Sequence, residues 1–359
     1  MDFVLPYILA GLHLIITVYL ALAFAKKSRK KPAINRPPLS IVIAARNEEY
    51  HLRQLVPQLL NQDYPDFEII IALDRCTDGS LGYLKSLRSE KIHTLDIKEV
   101  PSDWNSKKFA LQQACNRASG EFLVFTDADC VPASSQWLSS ISGLIEDSKE
   151  IIIGISPYQH SNSFLSQYIR FEAFMTAFLY ITFGLKGDPY MAVGRNLSIR
   201  RSFFNKMGGY ETFKSVTGGD DDLFIQKYAS KSNIQMMLGE KTLVYTTPGS
   251  NWKSYFRQKL RHFSVGHHYK WKHKTLLSLV HASHLLFLIT ILPVISLRNS
   301  LWLVLFYLFI KLVSYRFAAS KMGININYML LPLVDMLYAV LTPVISLWSK
   351  LVKDITWKN

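Results

Sequence analysis

The chain has 359 residues, 49% of them hydrophobic and 19% charged, which is too long and too apolar for a disordered segment, a fibre or a disulfide miniprotein. Lysine and arginine total 41 against 27 aspartates and glutamates, a formal net charge of +14, so anionic partners are favoured: nucleotides, nucleic acid or an acidic membrane face. The three cysteines, Cys76, Cys115 and Cys130, have neither CxxC nor zinc-ligand spacing and read as reduced thiols rather than a disulfide framework or structural zinc site.

Residues 3–25 are uncharged and, at about 1.5 Å of rise per residue, long enough to cross a hydrocarbon core about 30 Å thick. They read as a membrane anchor, residues 1–25. Ala21, Ala23 and Ala25 resemble a signal-peptide cleavage site, but Asp2 and the absence of lysine or arginine before the apolar run oppose that reading. A basic, proline-containing linker (26–38) follows. Its Lys26, Lys27, Arg29, Lys30 and Lys31 favour the cytoplasmic side, so the middle of the chain is expected to be cytosolic.

From 39 to 250, short β-rich runs alternate with helical patterns, the order of an α/β domain. The runs 39–45 (LSIVIAA), 67–73 (FEIIIAL) and 121–126 (EFLVFT) are almost continuously apolar, as parallel strands covered on both faces are. Helices are expected over 48–61, 77–89 and 107–118, with Thr77 and Ser106 as caps. Such sheets bind ligands at the carboxyl ends of their strands. Arg46, Asn47 and Glu48 follow the first run there, and Asp74, Asp78 and Gly79 the second. Both loops suit nucleotide contacts, and both also suit ordinary turn chemistry.

Asp127 and Asp129 close the third run at i and i+2, where an unpaired charge is costly. Mg²⁺ or Mn²⁺ would offset that cost, since these ions take one or two carboxylates and complete their shell with water and phosphate oxygens. A helix-capping Asp129 beside a solvated Asp127 is the plainer alternative. Residues 163–185 form an amphipathic stretch interrupted by Arg170 and Glu172, expected under the sheet or at a bilayer surface rather than across it. Residues 218–223 (GGDDDL) gather Asp220, Asp221 and Asp222 before a helical pattern. One of these acids can cap the helix, and their mutual repulsion favours an elevated pKa fit for proton abstraction.

Residues 251–275 interleave Lys253, Arg257, Lys259, Arg261, Lys270, Lys272 and Lys274 with Trp252, Tyr255, Phe256, Phe263, Tyr269 and Trp271, the pattern of a helix lying on a membrane surface. No helix-turn-helix, zinc-finger or RNP pattern accompanies them, so no nucleic-acid partner is expected. His262, His267, His268 and His273 lack acidic partners and an HExxH arrangement, and read as interfacial or phosphate-facing. Residues 276–349 hold two to three more candidate spans at 276–297, 301–315 and 326–348, the second short and carrying Lys311. The Arg298 and Asn299 link makes the first two a hairpin, and Arg316 and Lys321 put the next loop on the positive side. The tail, 350–359, carries Lys350, Lys353 and Lys358, which favour the cytosol, whereas three spans would place it outside.

Taken in order, these motifs resemble a membrane-bound family 2 glycosyltransferase of the GT-A fold, over about residues 39–269. SIVIAARNEE (40–49) resembles the family's opening strand and nucleotide-contacting loop, which implies donor contacts at Ala45, Arg46, Asn47 and Glu48. ALDRCTDGS (72–80) resembles the second loop, with Asp74 in the place of an aspartate that holds the base and Leu73 where a second usually stands. NSKKFALQQA (105–114) is similar to the GK-x-x-AL segment, with Lys107 on the lysine and Ser106 replacing glycine. Asp127-Ala128-Asp129 matches the DxD element that holds a divalent metal on the donor diphosphate. VGRNLSIRRSFFNKMGGY (193–210) resembles the segment bordering the acceptor. Residues 218–223 take the place of the ED motif, whose register puts Asp220 on the catalytic base, or Asp221 after a shift of one. Gln258, Arg261 and His262 resemble the QxxRW motif, with His262 replacing tryptophan; the match implies diphosphate contacts but not processivity.

The resemblance therefore implies an α/β fold: a GT-A, Rossmann-like mixed-sheet domain flanked by an N-terminal transmembrane helix and C-terminal ones. It further implies inverting transfer from a nucleotide-diphosphate sugar, a UDP-sugar ahead of a GDP-sugar, with Mg²⁺ or Mn²⁺ as cofactor. The acceptor would be lipid-linked or a glycan, at the cytoplasmic face of a multi-pass inner-membrane protein with membrane lipids as partners. A non-catalytic membrane scaffold and a glycoside hydrolase using paired carboxylates are the competing classes, although a hydrolase has no need of a nucleotide-type strand edge.

Overall fold

The structure is a computed structural model that describes residues 4–25, 36–295 and 301–352. The basic residues from Lys26 to Lys31, the Arg298 and Asn299 link, and Lys353 and Lys358 of the tail lie outside the described residues. In chain order the elements begin with α1 (Val4–Ala21), β1 (Leu39–Ala45), α2 (Glu49–Leu60), β2 (Phe67–Asp74), α3 (Ser80–Ser86), β3 (Ile92–Ile97) and α4 (Ser106–Arg117). They continue with β4 (Phe122–Phe125), β5 (Cys130–Pro132), α5 (Trp137–Ser142), β6 (Ile151–Ile153), α6 (Phe164–Leu185), β7 (Leu197–Arg200), α7 (Arg201–Lys206) and α8 (Asp222–Tyr228). β8 (Ile234–Met236), β9 (Val244–Thr246), α9 (Trp252–Val265), α10 (Trp271–Ile295), α11 (Leu301–Met322) and α12 (Leu331–Ser349) complete the chain. Two compact units result: a sheet unit of residues 29–159 and 187–247, and a helical unit of residues 1–28, 160–186 and 248–355.

In the sheet unit seven strands form one mixed sheet in the order β3-β2-β1-β4-β7-β6-β8, and β5 pairs with β9 alone. β1 to β4 run parallel, β7 is antiparallel to β4 and β6, and β8 is parallel to β6. The three runs expected as strands lie side by side at the centre. β2 reaches Asp74, while β4 keeps only Phe122–Phe125. All of β1 is buried, and α2 lays Leu52, Leu55, Val56 and Leu59 into the core at helical spacing. Two helix starts differ from expectation. Asn105, not Ser106, caps α4 by accepting the Lys108 N–H. α3 begins only after Gly79, and Thr77 instead gives its main-chain N–H to Asn47 Oδ1.

Asn196 ties the second half of the sheet together. Its Nδ2 donates to Ile155 O and Thr242 O, both at 2.8 Å, and its Oδ1 accepts Trp137 Nε1–H at 3.0 Å. Close approach requires glycine opposite: a Cβ at Gly154 would stand 2.5 Å from the Asn196 side chain. Asn196→Ala strands three buried polar groups and is expected to cost about 3 kcal/mol of stability, read as a lowered denaturation midpoint of the full chain in detergent.

In the helical unit α6 packs on α1, α11 and α12, where sequence patterning expects a helix under the sheet or on a bilayer surface. Its charges are matched inside the unit. Glu172 meets Lys259 of α9 at 2.5 Å with both side chains buried, and Arg170 Nη2 donates to Asn325 O. Phe171, Phe174 and Phe178 line one face, each ring within 6.2 Å of the Tyr315 ring centroid. A second buried polar cluster joins four helices. Lys311 Nζ lies 2.6 Å from Asp335 Oδ2 and 2.9 Å from His284 Nε2, and His13 stacks on His284 with ring centroids 4.5 Å apart.

Among the described residues two helices are long and apolar enough to cross a membrane, Tyr7–Ala25 and Leu331–Ser349. The three C-terminal candidates become α10, α11 and α12, and α12 meets that measure over its described residues. Ile8, Leu12, Ile15 and Tyr19 of α1, and Leu333, Met336, Val340, Val344 and Leu347 of α12, form exposed apolar rows at helical spacing.

Candidate active site

Parallel strands end their main chains at one edge of the sheet, and the loops after β1, β2 and β4 gather there. The first two are laced together. Asn47 and Arg75 adopt left-handed backbone conformations, φ 54° and 47°, which few non-glycine residues hold without support from their surroundings. Asn47 Oδ1 accepts the Thr77 N–H at 2.8 Å, Cys76 Sγ donates to Ala45 O, Glu49 N–H donates to Asp78 Oδ2 at 2.9 Å, and Gly79 N–H donates to Glu49 Oε2 at 3.0 Å. Glu48 pairs with His51 at 2.6 Å. Asp74, fully buried, is held by Arg75 through Nε to Oδ1 at 2.7 Å and Nη2 to Oδ2 at 3.1 Å, with Arg46 at 4.0 Å.

After β4 no helix starts at Asp129, so the capping alternative is not what the fold uses. Lys107, from the first turn of α4, places its ammonium 3.0 Å from Asp127 Oδ1 and 3.2 Å from Asp220 Oδ2. A small cavity beside them is lined by Thr126, Asp127, Gly194, Tyr210, Asp220 and Asp221, among others. Burial and the charge of Asp127 push the Asp129 carboxyl up, against the opposing Arg195 guanidinium. Burial also acts to raise Asp220, but Lys107 and Lys108 outweigh it and hold that carboxyl below its ordinary range. Asp221, raised to about 6 by burial and by Asp220, commits both oxygens to the main chain: Oδ2 to Gly194 N–H at 2.5 Å and Oδ1 to Asp222 N–H at 2.8 Å, where it caps α8.

Lys107, Asp127 and Asp220 thus converge, Asp129 and Asp221 flank them, Ala45, Arg46, Asn47 and Glu48 sit one strand away on the same edge, and Asp74 two strands away. Gln258, Arg261 and His262 lie on α9, in the helical unit. Among the described residues no group of three or more His, Cys, Asp or Glu side chains forms a metal cage. The Asp127 and Asp129 pair does suit an ion that takes one or two carboxylates and otherwise water and phosphate oxygens.

Three contributors escape sequence reasoning. Arg195, inside the quoted segment 193–210, donates Nε–H to Ser156 Oγ at 3.0 Å and opposes the charges of Asp127 and Asp129. Arg75 grips Asp74. Lys108, fully buried, donates Nζ–H to Phe213 O at 2.9 Å and Val216 O at 2.6 Å, tying down the chain that leads to Asp220. Burial lowers its ammonium to about 8 against the pull of Asp220 and Asp221, so above that pH the unfolded chain binds the extra proton. Stability is therefore expected to rise between about pH 8 and the ordinary lysine value, by up to about 3 kcal/mol. Denaturant titrations across that window should show the rise in the wild type and lose it in Lys108→Met.

Residues 40–208 match the family model of Glycosyl transferase family 2, and the fold is GT-A-like. The chain is 26% identical over 234 residues to the probable glycosyltransferase YdaM of Bacillus subtilis (strain 168), covering 63% of this chain and 54% of that one. It is 29% identical over 133 residues to the beta-monoglucosyldiacylglycerol synthase of Nostoc sp. (strain PCC 7120 / SAG 25.82 / UTEX 2576), 36% of this chain and 28% of the relative. The chain spans about half, or less, of the length of these curated relatives. The solved mannosyltransferase PcManGT from Pyrobaculum calidifontis, in complex with GDP-Man and Mn²⁺, shares the fold over 98% of this chain and 100% of its own, with a TM-score of 0.65 at 16% identity.

Proposed function

We propose that the protein is an inverting glycosyltransferase that moves a sugar from a nucleotide-diphosphate donor to a lipid-linked or glycan acceptor at the cytoplasmic face of a membrane. The observation that carries this reading is the meeting of Lys107, Asp127 and Asp220 at the sheet edge, at 3.0 and 3.2 Å. Asp220 accepts the proton of the acceptor hydroxyl as its oxygen forms the new bond to C1; the bond from C1 to the diphosphate oxygen breaks, and that oxygen keeps the electron pair. Lys107 pairs with Asp127, keeps Asp220 ionised and lies where negative charge gathers on the departing diphosphate. Asp127 and Asp129 would hold a divalent cation, which when bound supplies charge stabilisation to that diphosphate. The likeness of Gln258, Arg261 and His262 to the QxxRW motif gives them the role of further donors to a diphosphate, and the loops 45–48 and 74–79 bind the nucleoside.

Support for a lipid acceptor comes from the two apolar helices and from a relative named for a monoglucosyldiacylglycerol. Calorimetric titration of UDP and GDP into detergent-purified protein, with and without Mn²⁺, tests the reading. One nucleotide should bind in a metal-dependent manner and fail to bind Asp129→Ala. A folded wild type that binds neither nucleotide would favour a non-catalytic scaffold.

A further inference from the structure

We infer that Arg75 reads the nucleobase through the base's carbonyl oxygens, and that Asp74 acts as the buried positioning residue behind it. This rests on the nucleotide-sugar reading above and assigns base recognition within it. Asp74 has no exposed surface, and each of its oxygens already accepts a hydrogen bond from Arg75, at 2.7 and 3.1 Å. A forked, charge-assisted pair of this kind is among the strongest side-chain interactions. For Asp74 to accept an N–H from a base it would have to give up that pair inside the protein.

Arg75 is placed to present itself instead. Its side chain is 37% exposed. Nη2 also donates to Ser106 Oγ at 2.8 Å, which fixes the plane of the guanidinium, while Nη1 has no hydrogen bond among the described residues. The main chain is bent to φ 47° and anchored by Arg75 N–H to Ile97 O at 2.9 Å, a strained conformation of the sort that persists where the surroundings impose it. β1 pairs with β2 on one side and β4 on the other, so the end of β2 lies two strand spacings, about 10 Å, across the sheet from Asp127. That separation places Arg75 at the base end of a nucleotide whose diphosphate meets Lys107. A guanidinium only donates, so it favours uracil and guanine, which display carbonyl oxygens, over adenine, which has none.

The test is calorimetric affinity of the full-length protein in detergent with Mn²⁺ for UDP, GDP, ADP and inorganic pyrophosphate, comparing wild type, Arg75→Met, Asp74→Asn and the double variant. Arg75→Met should weaken the preferred nucleotide about 10- to 100-fold, shrink its preference over ADP and leave pyrophosphate unchanged. The double variant should bind as Arg75→Met does, because Asp74 acts through Arg75. Arg75→Lys keeps the charge without the fork and should also lose discrimination, which covers the case in which the methionine variant melts. Unchanged binding in Arg75→Met, an equal loss for pyrophosphate, or a further loss in the double variant overturns the inference alone. A folded wild type that binds no nucleotide overturns the transferase reading and this inference with it.

Discussion

Asp220→Asn is expected to lower kcat by about 10³-fold while nucleotide binding stays within a few-fold of wild type. Asp220 and Asp221 are adjacent, yet their surroundings give them different work. Asp221 has one oxygen on the Gly194 N–H and the other on the Asp222 N–H, so a proton taken from an acceptor would compete with one of them, at the turn of Gly194 or at the cap of α8. Asp220 shares Lys107 with Asp127, and the two lysines beside it hold its carboxyl below the ordinary range despite burial. It is therefore ionised across the neutral range and ready to accept a proton. Asp221→Asn should instead act mainly on stability, with a smaller loss of kcat. Single-turnover transfer rates at saturating donor, paired with donor affinity for each variant, separate the two; the large kcat loss falling on Asp221→Asn would reverse the assignment.

The second large effect is on stability. Lys311, His284 and Asp335 come from α11, α10 and α12 and meet within 3.1 Å in the interior of the helical unit, and all three are buried. Removing one member leaves a charge without compensation in a low-dielectric interior, where the loss is about 3–5 kcal/mol. Lys311→Met and Asp335→Leu should each lower the thermal midpoint in detergent sharply. Combined, they should recover most of the loss, since two apolar side chains of similar size leave no charge to bury. Additive losses would show that the two residues act separately.

Legibility in the sequence followed the length over which a pattern could act. β1, β2 and β4 stand out because long apolar runs bounded by polar loops admit few other readings, and the acids at their ends inherit positions from them. β6, β8 and β9 have three residues each, too few to show a period. The neighbours of α6 are not legible locally, because the partners of Arg170 and Glu172, Asn325 and Lys259, come from far along the chain. Asn105 and Ser106 are both competent caps, and the choice fell to Asn105 while Ser106 serves Arg75. The grip of Arg75 on Asp74 depends on a left-handed turn that no residue type announces.

The departure of residues 160–186 from the sheet unit and the return at 187 bear on how the protein is made and handled. β7 and β8, which complete the sheet, leave the ribosome only after α6, and α1 must wait for α10 and α11, on which it packs, more than 240 residues downstream. Such late, long-range closure is slow and leaves apolar surface open to aggregation meanwhile. The sheet unit cannot be isolated by trimming the two ends, because α6 would remain with Phe171, Phe174 and Phe178 stripped of Tyr315. The sheet unit becomes a continuous fragment only when residues 160–186 are replaced by a linker joining residue 159 to residue 187.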